Sequence, residues 1–305
     1  RIKRLAIAYP LLVLSIFVFG WLKSSSLINP ESDTVKIAAI VLVPEDGEAV
    51  PMSRIFESRS TSPYEQTLSR IEELTEEAVG SGARIVSFQE FAMVIKQEDE
   101  NRLRRDFQHI ARENSIYLSI TYAYFSENEK GENKHLFING EGEILLDYTK
   151  RYLLGMGPFG ETSVFKKGPE IIQSVETPYG RVGISICRDM SFPSFLRQAA
   201  RDQVDIMLSP SYDWPKSPAP WYLTSTIENG FSFVRPTYNG YSYAADYHGT
   251  VLAHMDSDLS ADGIMYADIP VKGIKVLYPA VGDILGWLSI AGLLILIGMI
   301  LFKNK

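Results

Sequence analysis

The chain has 305 residues, of which 46% are hydrophobic and 22% charged, with a formal net charge of −7. These proportions exclude wholesale disorder, and the acidic balance excludes a general nucleic-acid binder, which needs a basic footprint against phosphate. A single cysteine excludes an intramolecular disulfide; with four histidines that lack HExxH or His-x-His spacing, it also predicts no metal site and no cofactor.

Both ends are apolar. Residues 5–22 and 284–302 are uncharged runs, each about the ~20 residues that a helix needs to cross a bilayer core. "RIKR" precedes the first run, "FKNK" closes the second, and Trp21 and Trp287 stand where interfacial aromatics belong. The expectation is a transmembrane anchor at 1–27, a second at 279–305, and a cell-membrane location. Both termini would be cytoplasmic and the segment between them extracytoplasmic. A cleaved signal peptide at the front and a buried core helix at the back are the alternatives. The opening Arg1 also leaves room for a longer protein with more helices upstream.

In chain order, residues 28–34 read as a polar linker and "VKIAAIVLV" (35–43) as a strand covered on both faces. A polar loop runs to Thr61, where "SPYE" (62–65) predicts a capping box. Tyr64, Leu68, Ile71, Leu74 and Ala78 follow at helical spacing until "GSG" (80–82). "ARIVSFQE" predicts a second strand, residues 98–114 a charged helix, and "IYLSITYAYF" a third strand. "HLFING" and "GEILLDYTK" form a predicted hairpin. "RVGISIC", "FPSFLRQAARD", "DIMLSPS" and "WYLTSTIENGFSF" then alternate strand and helix, before shorter strands end at 263–271. Such alternation predicts α/β layers in one enzyme-sized domain over 28–278.

"GMGPFG" (155–160) matches GxGxxG, but no amphipathic helix follows to hold a pyrophosphate. No phosphate loop and no serine elbow occurs. Cys187 is placed differently, at the end of a buried strand and just before a helix, where α/β proteins present functional groups. Taken alone it reads more readily as a small buried hydrophobe. Glu90 and Lys150 each hold the same strand-end position. A carboxylate that moves the thiol proton, an ammonium that holds an oxyanion and a thiol nucleophile make a complete set.

The sequence resembles the nitrilase, or carbon–nitrogen hydrolase, superfamily over roughly 35–271. "SFQEF" is similar to its glutamate motif, "DYTKRYL" to its lysine motif and "GISICRDMSFP" to its cysteine motif. The resemblance implies a four-layer αββα sandwich and a Glu90–Lys150–Cys187 triad in which the thiol is acylated by an amide, nitrile or ester carbon. Asp189 suits the cysteine motif.

Within the superfamily, the membrane setting resembles the apolipoprotein N-acyltransferases. "GPFGET" (157–162) would make Glu161 a supporting acid, and "ENGFSFVRPTYNGYSYAADYHG" is similar to a downstream stretch of that family. That branch implies membrane lipid as partner, a phospholipid acyl donor and a lipoprotein N-terminal amine as acceptor. Arg188 stands where those enzymes usually have tyrosine, and "SYDWPKSPAPWYL" (211–223) lacks their Gln-His pair. Arg188, Trp214, Trp221 and Tyr222 are the candidate substrate-binding residues. A membrane-tethered amidase acting on a small amide, and a binding module without chemistry, are the other readings.

Overall fold

The β-branched run near residue 35 forms strand β1 (Thr34–Val41), buried on both faces as a continuous apolar run requires. Val35, Ile37 and Ala39 point into one core, while Ala38 and Ile40 point into another. A computed structural model of the chain describes residues 11, 14, 15, 17, 18, 20, 32–43, 56, 59–155, 160–213, 222–256 and 261–303.

Two sheets follow from this two-sided burial. The first contains β1, β2 (Ile85–Phe88), β3 (Met93–Lys96), β4 (Tyr117–Phe125), β5 (Glu132–Ile138) and β6 (Ile144–Thr149), with β15 (Gly263–Pro270) at one edge. Its order is β15-β1-β2-β4-β5-β6, and β3 pairs with β4 off this path. The second sheet runs β14-β13-β11-β9-β8-β7. These strands are β7 (Gln173–Thr177), β8 (Gly180–Ile184), β9 (Ile206–Leu208), β11 (Ser232–Arg235), β13 (Ser242–Ala245) and β14 (Val251–Met255). A short pair, β10 (Ser211–Tyr212) with β12 (Thr237–Tyr238), is parallel and separate from both sheets.

Helices α1 (Tyr64–Gly80) and α2 (Glu100–Glu113) lay Leu68, Ile71, Leu103 and Phe107 on the first sheet, against Ala38, Ile40 and Val86. Helix α3 (Pro193–Arg201) buries Phe195, Leu196 and Ala199 in the cluster that holds Val182, Ile184 and Ile206 of the second sheet. Val35 and Ile37 of the first sheet belong to that same cluster, so the sheets pack on each other. The result is helix, sheet, sheet, helix: the expected αββα sandwich. Each fully buried Leu, Ile or Phe contributes about 1.5–3 kcal/mol, so these layers carry the fold.

Several local expectations differ. The capping box does not form: Ser62 Oγ accepts from Val94 N at 3.0 Å, and Ser62 N donates to Val94 O. Ser62 is therefore spent on β3, and α1 starts without a side-chain cap. Strands β3 and β7 were not expected, since both are short and flanked by charge. The helix expected near residue 222 is shorter, α4 (Leu223–Asn229). It ends at Gly230, whose φ of +78° and close approach to Ile274 O exclude a side chain.

The expected pair of membrane spans is not supported. Most of the N-terminal run lies outside the described residues. The C-terminal run is helix α5 (Ile284–Lys303), but among the described residues no helix is long and apolar enough to cross a membrane. Only part of the α5 side chains is described. Those described include Ile284, Trp287, Ile290, Leu293, Leu294 and Leu301, all exposed.

Candidate active site

Strands β1, β2 and β4 run parallel, and two antiparallel steps through β5 give β6 the same direction. Strands β8, β9 and β11 are likewise parallel. The loops that leave β2, β6 and β8 carry Glu90, Lys150 and Cys187, and the packed sheets bring these loops together. This is the end of an α/β sheet at which functional groups gather.

Lys150 Nζ lies 2.7 Å from Glu90 Oε1 and 2.8 Å from Glu161 Oε1, and all three side chains are buried. Asn133 Nδ2 donates to the same two oxygens, at 2.8 Å to Glu90 and 3.2 Å to Glu161. The remaining oxygens accept from the backbone: Tyr212 N to Glu90 Oε2 at 2.9 Å, and Leu154 N to Glu161 Oε2 at 2.6 Å. Two buried carboxylates thus share one ammonium and one amide, as burial of charge demands.

Burial raises the Glu90 carboxyl above its ordinary range, against the opposing pull of the Lys150 cation. Burial alone would pull the Lys150 ammonium down, but Glu161 and Glu90 outweigh it and hold the cation well above its usual value. The Cys187 thiol is pushed up to about 12, first by burial and then by the Glu90 charge, with Lys150 opposing. In the resting site the thiol is therefore protonated and stands beside a base that a proton suits.

Cys187 opens a short 3-10 turn, Cys187–Ser191, with φ of +47°. A left-handed backbone at a residue with a Cβ costs of order 1–3 kcal/mol, so the surroundings must impose it. Asp189 does so. Its Oδ2 accepts from Ile186 N at 3.0 Å and Tyr148 Oη at 2.7 Å, and its Oδ1 accepts from Tyr152 N at 2.8 Å. Cys187 N donates to Pro210 O at 2.9 Å, which fixes the turn from its other side. Asp189 therefore joins the cysteine turn to the loop that carries Lys150.

The wall facing this cluster is β10. Cys187 Sγ lies 3.8 Å from Tyr212 O. Arg235, only 3% exposed, forms a two-armed pair with Asp213 at 2.8 and 2.9 Å and donates to Ser211 Oγ at 2.7 Å. The Tyr222 ring lies under the guanidinium, 5.1 Å from centroid to Cζ. A cavity of about 420 Å3 borders Glu90 and Tyr212, and is lined further by Leu42, Val43, Phe91, Val94 and Tyr238.

Of the residues singled out from the sequence, the structure brings Glu90, Lys150, Glu161, Cys187 and Asp189 into one cluster. Arg188 is half-buried on the same turn, and Tyr222 sits on Arg235 with its hydroxyl 3.1 Å from Ser191 Oγ. Trp214 and Trp221 lie outside the described residues, as does most of "GMGPFG". The sequence reading did not single out Asn133, Tyr148, Tyr212, Asp213 or Arg235. It also passed over His135, whose Nδ1 bonds Ser185 O at 3.0 Å and whose Nε2 bonds Ser119 Oγ at 2.7 Å. Burial lowers His135 to about 3, which keeps it neutral. Among the described residues no group of His, Cys, Asp and Glu could hold a metal ion.

Glu90, Lys150 and Cys187 thus stand at the strand ends of an αββα sandwich, the fold of the carbon–nitrogen hydrolases. The chain belongs to the carbon–nitrogen hydrolase family, whose model matches residues 57–277. It is 26% identical over 238 residues to the deaminated glutathione amidase of Mus musculus, covering 67% of this chain and 74% of that protein. It is also 26% identical over 247 residues to the omega-amidase NIT2 of Mus musculus, covering 72% of this chain and 88% of that protein. Among solved structures, an amidase from Nesterenkonia sp. superposes with a TM-score of 0.65 at 20% identity, covering 81% of this chain and 95% of that one. These relatives are named as amidases and not as apolipoprotein N-acyltransferases, so they favour the amidase alternative over the expected branch of the superfamily.

Proposed function

We propose that the chain is an amidase: it cleaves a carbon–nitrogen bond through a thioester on Cys187 and gives the acyl group to water. The carrying observation is the shared contact of Lys150 Nζ with Glu90 and Glu161, with Tyr212 joining Glu90 through its N–H to Cys187 through its carbonyl. Cys187 Sγ attacks the amide carbon while Glu90 takes the thiol proton. The oxyanion meets Lys150 and a backbone N–H of the 187–191 turn other than those of Cys187 and Asp189, which already donate to Pro210 O and Ile186 O. Glu90 returns the proton to the leaving amine, and the C–N bond breaks to leave the thioester. Glu90 then takes a proton from water as its oxygen attacks, and the acid leaves as Cys187 recovers its proton. Asn133 and Glu161 hold Lys150 and Glu90 in place throughout. The relatives' amidase names support transfer to water over transfer to a lipoprotein amine.

The test is intact-mass analysis after rapid quenching with a panel of primary amides. A mass increase equal to the acyl group on Cys187, with release of ammonia and loss of both in Cys187→Ala, is expected. Full turnover by Cys187→Ala overturns the reading. An adduct formed only from phospholipid returns the acyltransferase.

We also propose contact with membrane lipid through α5, because its exposed apolar side chains favour a lipid surface over water. Flotation with liposomes tests this; a chain left at the bottom of the gradient overturns it.

A further inference from the structure

Tyr212 touches the two reacting groups of the proposed mechanism through one residue's backbone. Its N–H donates to Glu90 Oε2 at 2.9 Å, and its carbonyl faces Cys187 Sγ at 3.8 Å. The residues on either side of it are both held by one buried guanidinium. Arg235 Nη2 reaches Ser211 Oγ at 2.7 Å and Asp213 Oδ1 at 2.9 Å, while Nη1 reaches Asp213 Oδ2 at 2.8 Å. Ser211 Oγ in turn donates to Asp213 Oδ1 at 2.8 Å, closing the ring of contacts. Among the described residues β10 pairs only with β12, with Ser211 N donating to Pro236 O and Asp213 N to Tyr238 O, each at 2.9 Å. So short a ladder leaves the side chains of Ser211 and Asp213 to fix its set.

We infer that Arg235 is a positioning residue: by gripping Ser211 and Asp213 it holds the Tyr212 peptide in register with both Glu90 and Cys187. The inference rests on the amidase reading for the roles of those two groups. A planar fork with fixed donors suits the task, because three acceptors on two residues are met from one rigid group. A lysine supplies the charge without the fork. The positive charge alone is therefore not the point. Tyr222, stacked on the guanidinium, closes the face that the acceptors leave open.

The clamp predicts a loss in the chemical step and not in substrate capture. Arg235→Lys should lower kcat at least tenfold, with KM changed less than about twofold. Ser211→Ala, which removes one arm and leaves the Arg235–Asp213 pair, should lower kcat severalfold without a change in melting temperature. Alkylation of Cys187 by iodoacetamide at pH 8 should quicken threefold or more in both variants, as the thiol loses its carbonyl partner. Because unfolding also lowers turnover and frees the buried thiol, the opposite movement counts for the clamp only where melting temperature and circular dichroism match wild type and KM stays within that bound. If Arg235→Lys does not fold, Ser211→Ala decides by the same two readouts. Wild-type kcat and alkylation rate in a folded Arg235→Lys, or in Ser211→Ala where the lysine variant fails, overturn the clamp and leave the amidase standing. Should the wild type cleave no amide, the amidase falls and the alkylation rates alone decide the clamp.

Discussion

Lys150 Nζ stands 2.7 Å from Glu90 Oε1 with neither side chain reaching solvent. Glu161 brings a second buried carboxylate to the same ammonium. Removing the cation leaves two facing carboxylates in a dry site, and an unpaired buried charge costs about 3–5 kcal/mol. Lys150→Met should therefore lose stability of that size at pH 7 in urea denaturation. The Glu90 carboxyl, already raised by burial, then rises further and is neutralised by acid, so the deficit against wild type should shrink at pH 5. A deficit that is equal at both pH values means that packing, and not charge, is lost.

The Glu90 charge raises the Cys187 thiol, while the same carboxylate is the base that the mechanism needs. Glu90→Gln separates the two effects. Turnover should fall by a factor of about 100 to 10,000, the usual worth of a positioned general base. Yet the thiol should become easier to ionise, since burial and Lys150 remain and the neighbouring anion is gone. Iodoacetamide should label Cys187 faster than in wild type at pH 8. Slower labelling would place the carboxylate's influence on the thiol elsewhere.

Asp189 accepts from Ile186 N, Tyr148 Oη and Tyr152 N, although burial favours its neutral form. Asp189→Asn puts an NH2 group against one of these donors. The expected cost is about 2–3 kcal/mol, from lost charge-assisted bonds and one donor left unpaired. Relaxation of the strained Cys187 backbone should lower kcat as well, by tenfold or more. A variant with reduced stability but wild-type kcat would show that the turn holds its shape without this carboxylate.

What the sequence reveals follows what is local. Glu90, Lys150 and Cys187 were legible because each closes an apolar run, and a strand end is visible in one dimension. Asp189 and Glu161 came from the motifs around them. Asn133 was hidden inside a strand, where an alternating polar residue reads as a solvent-facing position. Arg235 likewise ends a buried strand, yet its meaning depends on Ser211 and Asp213, 24 and 22 residues away. The Ser62 capping box failed for a related reason: Val94, 32 residues away, competes for the same hydroxyl. The apolar ends were plain in composition, but whether they span a bilayer depends on what surrounds them.

His135 gives a pH dependence whose sign can be worked out. It is fully buried between Ser119 and Ser185, and burial lowers it from 6.5 to about 3. The unfolded chain therefore takes up a proton below about pH 6.5 that the folded chain refuses. The stabilisation is fully present above pH 6.5 and is lost as pH falls from there toward 3. Between those limits the slope approaches one proton, or about 1.4 kcal/mol per pH unit. His135→Gln keeps a donor and an acceptor but cannot titrate. Unfolding free energies at pH 7.0 and 5.5 should show wild type losing about 1–2 kcal/mol more than the variant. Equal losses in the two proteins would mean that His135 takes up its proton inside the folded chain, against the neutral ring that these two hydrogen bonds and the surrounding core require.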